Sequence, residues 1–103
     1  MKIAIASTGK STDSKLDARF GRCAYFAIYD TESEQVSFIE NSAKLASGGA
    51  GPAAVTLLLK ENVSKIVATT FGMKIKSMLV DLGITMIVQD EEKTIQEIIA
   101  LTK

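Results

Sequence analysis

The chain contains no histidine and no tryptophan, and only one cysteine and one proline. Without histidine, the commonest general base and the commonest metal ligand are both missing. A single cysteine excludes an internal disulfide and a cysteine-only metal cage from one chain. Neither sign of charge is in excess: twelve Lys and Arg balance twelve Asp and Glu. That balance argues against a general nucleic-acid binder or a polybasic membrane-surface protein, both of which depend on excess positive charge. No apolar run approaches the length of a membrane-spanning helix. Met1-Lys2 leads into Ile3-Ala4-Ile5-Ala6, far too short for a signal-peptide core. The expectation is a soluble cytoplasmic protein that binds neither nucleic acid nor membrane.

What is present is a globular composition. Hydrophobic residues make up 47% and charged residues 23%, which excludes a disordered chain. At 103 residues the expectation is a single domain over 1–103, with no internal repeat or low-complexity tract. Ile3 to Ala6 is apolar on both faces, as in a central strand. Ser7 to Gly21 is polar and aperiodic, and a loop of that length in a small domain is more often functional than not. Cys23 to Tyr29 and Gln35 to Ile39 read as a hairpin around the turn-forming Asp30 to Glu34.

The second half alternates helix and strand. Gly48-Gly49-Ala50-Gly51-Pro52 leads into a helix that can begin at Pro52 and run to Glu61. Lys65 to Thr69 is a strand. Ile75, Met78, Leu79 and Leu82 mark the apolar stripe of a second helix, stopped by Gly83. Ile84 to Val88 is the last strand, and Thr94 with Glu97 forms a capping box for a helix containing Ile95, Ile98 and Ile99. The fold class is therefore α/β, a mixed sheet of five strands with three helices in the order β-β-β-α-β-α-β-α. Its parallel connections should be right-handed.

Two tempting chemistries fail on spacing. Thr8-Gly9-Lys10-Ser11 follows the first strand, but a phosphate loop needs a glycine where Ala4 stands and a helix after Ser11. A two-metal nuclease needs converging carboxylates, and the first strand carries none. The densest cluster is Asp17-Ala18-Arg19-Phe20-Gly21-Arg22-Cys23, which holds both arginines and the only thiol. Arginine presents planar donors suited to anionic groups, and Gly21 permits close backbone approach. The plainer alternative pairs Asp17 with an arginine and packs Phe20 and Cys23 in the core. The glycine-rich turn could cradle an anion at a helix N-terminus or simply serve as a hinge. Thr69-Thr70-Phe71-Gly72 lies at the carboxyl end of a parallel strand, where open α/β sheets place ligands. If the first strand neighbours it, the Ser7–Gly21 loop shares that rim.

Three strings, Asp17 to Phe26, Glu40-Asn41 and Gly48 to Ala54, together with the element order resemble the dinitrogenase iron-molybdenum cofactor biosynthesis family of nitrogenase-accessory-factor-like small domains. The resemblance covers nearly the whole chain, and the Phe-Gly-Arg string before an aromatic strand is its most specific part. Arg19 stands where many members carry histidine, and Thr69 to Lys74 where many carry a further glycine-rich loop. The resemblance implies a ribonuclease-H-like fold without nuclease activity. It also implies a non-enzymatic carrier or chaperone for an iron–sulfur or iron–molybdenum type cluster or its precursors. On this reading Cys23 thiolate is the metal ligand. Arg19 and Arg22 neutralise cluster charge and lower the thiol pKa. Phe20, Gly21, Gly48, Gly49, Gly51, Thr69 and Thr70 complete the cofactor-binding rim. One thiol cannot complete a cluster's ligand set, so a homodimer or a cluster donor or acceptor protein is expected. The alternatives are a metal-free sensor of a small anion or nucleotide, and a protein–protein adaptor using the hairpin edge.

Overall fold

The computed structural model describes residues 1–102. One five-stranded sheet is built from β1 (Lys2–Ser7), β2 (Tyr25–Asp30), β3 (Val36–Glu40), β4 (Val63–Ala68) and β5 (Thr85–Val88). Its order is β3-β2-β1-β4-β5. β1 is central, antiparallel to β2 and parallel to β4, while β4 and β5 are parallel. The three α-helices are α1 (Ala50–Lys60), α2 (Met73–Leu82) and α3 (Ile95–Leu101), and a short 3-10 turn covers Ser42–Leu45. This is the α/β order expected from the sequence, with the turn added. No helix among the described residues is long and apolar enough to cross a membrane.

The central position of β1 follows from its sequence, since Ile3 to Ser7 are all buried. A strand apolar on both faces gains most where both faces are covered. The predicted boundaries shift at several ends. β2 begins at Tyr25, because Cys23 and Ala24 still belong to the turn that Asn41 holds through its bond to the Cys23 carbonyl. α1 starts at Ala50, placing Pro52 in its third position. The missing N–H of proline costs nothing there, because no first-turn amide has an intrahelical partner. Leu82 is 44% exposed, outside the core that takes Ile75 and Leu79. Gly83 caps α2 with φ of +72°, as glycine can without strain.

The long loop after β1 divides into two parts with different work. Ser14 and Thr12 carbonyls accept the Ile95 and Gln96 amides at 2.8 and 2.9 Å, and Leu16 N–H donates to the Lys93 carbonyl at 3.0 Å. Together with the Thr94–Glu97 capping box, these bonds satisfy the start of α3. Thr8 to Leu16 is therefore mostly a structural clasp. Only the end of the loop, Phe20 to Arg22, meets the start of α1 and the segment after β4.

Candidate functional site

Three segments far apart in sequence meet in an open groove of about 450 Å³. Phe20, Gly21 and Arg22 form one wall, Gly49 to Pro52 a second, and Thr70, Gly72, Lys74 and Ile75 the third. What brings them together is aromatic packing and backbone contact. The Phe20 ring lies 5.6 Å from Phe26 and 6.1 Å from Phe71, both in tilted geometry, so one ring ties the loop to β2 and to the segment after β4. Such pairs contribute about 0.5–1.5 kcal/mol beyond their burial. A Cβ on Gly21 would stand 2.7 Å from the Gly51 nitrogen and 2.9 Å from its Cα, so the two backbones touch. Gly51 in turn leaves room for the Ile75 side chain, whose Cδ1 would lie 2.8 Å from an added Cβ.

Asn41, buried behind this contact, locks the wall. Its Nδ2 donates to the carbonyls of Gly21 and Cys23, each at 3.0 Å, and its Oδ1 accepts the Ala43 amide at 3.1 Å. Arg22 Nη1 donates to the Lys44 and Ala46 carbonyls at 2.8 and 3.1 Å. That bond pair anchors the segment that feeds Gly49 and the start of α1.

The electrostatics of the groove come from its backbone as much as its side chains. α1 and α2 both begin in it, with Gly49 and Gly72 as N-caps, and neither has a side-chain cap. α3, which begins elsewhere, has a full capping box. Uncapped first turns present free N–H groups and the positive end of the helix dipole. Arg22 and Lys74 add positive charge, and no carboxylate lines the groove among the described residues. The arrangement attracts anions, with donors from the backbone, Arg22 and Lys74.

Of the residues singled out from the sequence, Phe20, Gly21, Arg22, Gly49, Gly51 and Thr70 line the groove. Gly48, Arg19, Thr69 and Cys23 do not. Gly48 stands in open space. Arg19 lies outside, clamped on the buried Asp17 by paired guanidinium bonds at 3.2 Å and by its own amide at 2.9 Å. The ion pair raises the Arg19 pKa further and uses the charge that a ligand would need. The Thr69 hydroxyl is buried without a partner among the described residues.

Cys23 is fully buried in the core. Burial and, secondarily, the negative charge of Asp17 push its thiol up to about 12. The expectation that the arginines would lower this pKa is thereby reversed. Arg19 is neutralised by Asp17 and Arg22 is turned toward the 3-10 turn, so desolvation dominates. No group of three or more His, Cys, Asp or Glu side chains that could hold a metal ion occurs among the described residues. In the sequence Asn41 and Gly72 stand out only within longer strings, and Lys74 and Ile75 are not marked as site residues at all. The signal available for Lys74 was a cation in the first turn of a helix, where the dipole disfavours it.

Comparison with known proteins bears on this architecture. The orange protein of Desulfovibrio gigas, in its apo form, superposes with a TM-score of 0.91 at 26% identity, covering 98% of this chain and 85% of that one. A Thermotoga structure described as NifB-like gives 0.82 at 35% identity with the same coverages. An uncharacterized protein of Methanocaldococcus jannaschii is 31% identical over 87 residues, which is 82% of this chain and 70% of the relative. The family model described as dinitrogenase iron-molybdenum cofactor matches residues 1–103, from the first strand through the last helix. Sequence match and shared fold agree over the same span, and the chain belongs to the dinitrogenase iron-molybdenum cofactor family.

Proposed function

We propose that the protein is a non-enzymatic carrier whose groove holds an anionic metal–sulfur cluster, or a precursor of one, as cargo. The observation behind this reading is that only the two helices opening into the groove lack side-chain caps, and that Arg22 and Lys74 stand beside them. Membership of an iron-molybdenum cofactor family supplies the cargo class. The donor set favours one mode of binding. Backbone N–H groups, an ammonium and a guanidinium hydrogen-bond to sulfide or oxide on a cluster surface, and none of them ligates a metal directly. The cargo keeps its own ligands and is held from outside, which suits a carrier that must give it up to an acceptor protein. Cys23, buried and protonated at neutral pH, has no part in this reading. A homodimer is not required either, since no missing thiolate has to be supplied.

The test is anaerobic reconstitution with iron, molybdate and sulfide, followed by metal analysis and absorbance spectroscopy. Parent and Cys23→Ala should retain equal metal, whereas Lys74→Ala should bind about fivefold more weakly, with part of its salt dependence gone. Loss of metal in Cys23→Ala with retention in Lys74→Ala would overturn the outer-shell mode and restore thiolate ligation. Inorganic phosphate that binds the groove in the absence of metal, while no metal is retained, would favour the anion-sensor reading.

A further inference from the structure

A second cavity of about 450 Å³ lies away from the groove. Ile3, Val67, Ile87 and Ile98 give it an apolar lining, from β1, β4, β5 and α3. The first two and Ile98 are buried, while Ile87 is partly covered. It lies between α3 and the sheet face that carries Ile3 and Val67. The volume falls within the range of about 300–1,000 Å³ common for small-molecule sites.

Lys65 also lines it. It belongs to β4, which is flanked by β1 and β5, and its register partners are Ile3 and Thr85. Central parallel strands normally carry apolar residues on both faces, and the neighbouring positions of the same face, Val63 and Val67, are buried valines. Lys65 is half-buried and makes no ion pair or side-chain hydrogen bond among the described residues. No carboxylate side chain lines the cavity among the described residues. The cavity is apolar on its sheet and α3 side, with Thr31, Gln89 and Thr102 adding polar groups, and the Met1 ammonium beside it is paired with Glu32. An ammonium without a partner among the described residues, set beside isoleucines, is complementary to an anion with an apolar tail, whose charge would meet Lys65 and whose chain would cover the isoleucines.

We propose that this cavity is a ligand site for a small carboxylate bearing an apolar tail. The site is separate from the cargo groove and stands whatever the groove carries. The competing account is that the Lys65 stem merely covers apolar surface while its head reaches water. Octanoate and its uncharged counterpart octanol separate the two, titrated into the full chain and followed by amide chemical shifts. Saturable shifts are expected at Ile3, Lys65, Ile87 and Ile98 with octanoate, and none at Gly49 and Gly51. Lys65→Met, which keeps the apolar stem, should bind octanoate about tenfold more weakly, while Lys65→Arg stays within about threefold of the parent. The same spectra report whether each variant is folded. Absence of saturable shifts in the parent, equal octanoate affinity in parent and Lys65→Met, or octanol binding as tightly as octanoate would each overturn the proposal.

Discussion

Replacing Gly21 by alanine tests the contact that builds the groove. The added Cβ meets only backbone: the Gly51 nitrogen at 2.7 Å, its Cα at 2.9 Å and the Ala50 carbonyl carbon at 3.0 Å. No side chain can swing away, so either the Phe20–Arg22 loop or the start of α1 must move. Overpacking of this kind costs about 1–3 kcal/mol. In a domain this small each kcal/mol lowers Tm by roughly 4–8 °C, so a fall of about 5–20 °C is expected in a thermal melt. Two neighbouring glycines separate this cause from loss of flexibility. Gly48→Ala enters open space at a backbone that needs no glycine, and should leave Tm within about 2 °C or raise it slightly. Gly49→Ala also enters open space, but at φ of +68°, so backbone strain alone should cost about 1–2 kcal/mol. Only Gly21→Ala should also shift amide resonances on both Arg22 and Ala50. A Gly21→Ala protein melting within about 1 °C of the parent would refute the close-contact argument.

Asn41→Ala leaves the Gly21 and Cys23 carbonyls short of a buried donor and removes the cap of the 3-10 turn. It should cost about 2–4 kcal/mol, read as a lower urea midpoint with an unchanged m-value. Asn41→Asp keeps the acceptor for Ala43 but loses both donations, and should fall close to Asn41→Ala; a near-parental midpoint would contradict the donor role. The Cys23 thiol gives an alkaline signature. Its pKa is raised in the folded state, so above its ordinary value near 9.0 the unfolded chain releases a proton that the native chain keeps. Native protein then binds more protons, and stability must fall as pH rises from about 9 toward 12, by roughly 4 kcal/mol in all. Below that window both states hold the proton and no contribution remains. Urea unfolding of parent and Cys23→Ala across this range should show a steeper alkaline loss for the parent; identical slopes would mean that the thiol is not sealed.

The sequence alone determined the elements and much of their order. Ile3 to Ala6 read as a central strand, because apolar residues on both faces need cover on both, and all four are buried there. The capping box at Thr94 and Glu97 and the stop at Gly83 are local chemistry, and each functions where the sequence placed it. The strings Phe20-Gly21-Arg22 and Gly49-Ala50-Gly51 were also visible as chemistry in search of a neighbour. Which groups remain available to a ligand depends on through-space partners, and here tertiary structure decided. Arg19 and Arg22 look alike in the sequence, yet Arg19 is neutralised by Asp17, while Arg22 is anchored through one nitrogen on two carbonyls twenty-two and twenty-four residues away and keeps its charge at the groove. Cys23 sits beside two arginines in the chain, but burial outweighs sequence proximity and drives its pKa upward. Asn41 and Lys74 carried little local signal, because their importance lies in meeting Gly21 and the groove across long loops. Local propensity and periodicity act over a few residues, and so are legible in a string. The pairing of a charge, the sealing of a thiol and the contact of two glycine backbones are settled only when the sheet brings distant segments together.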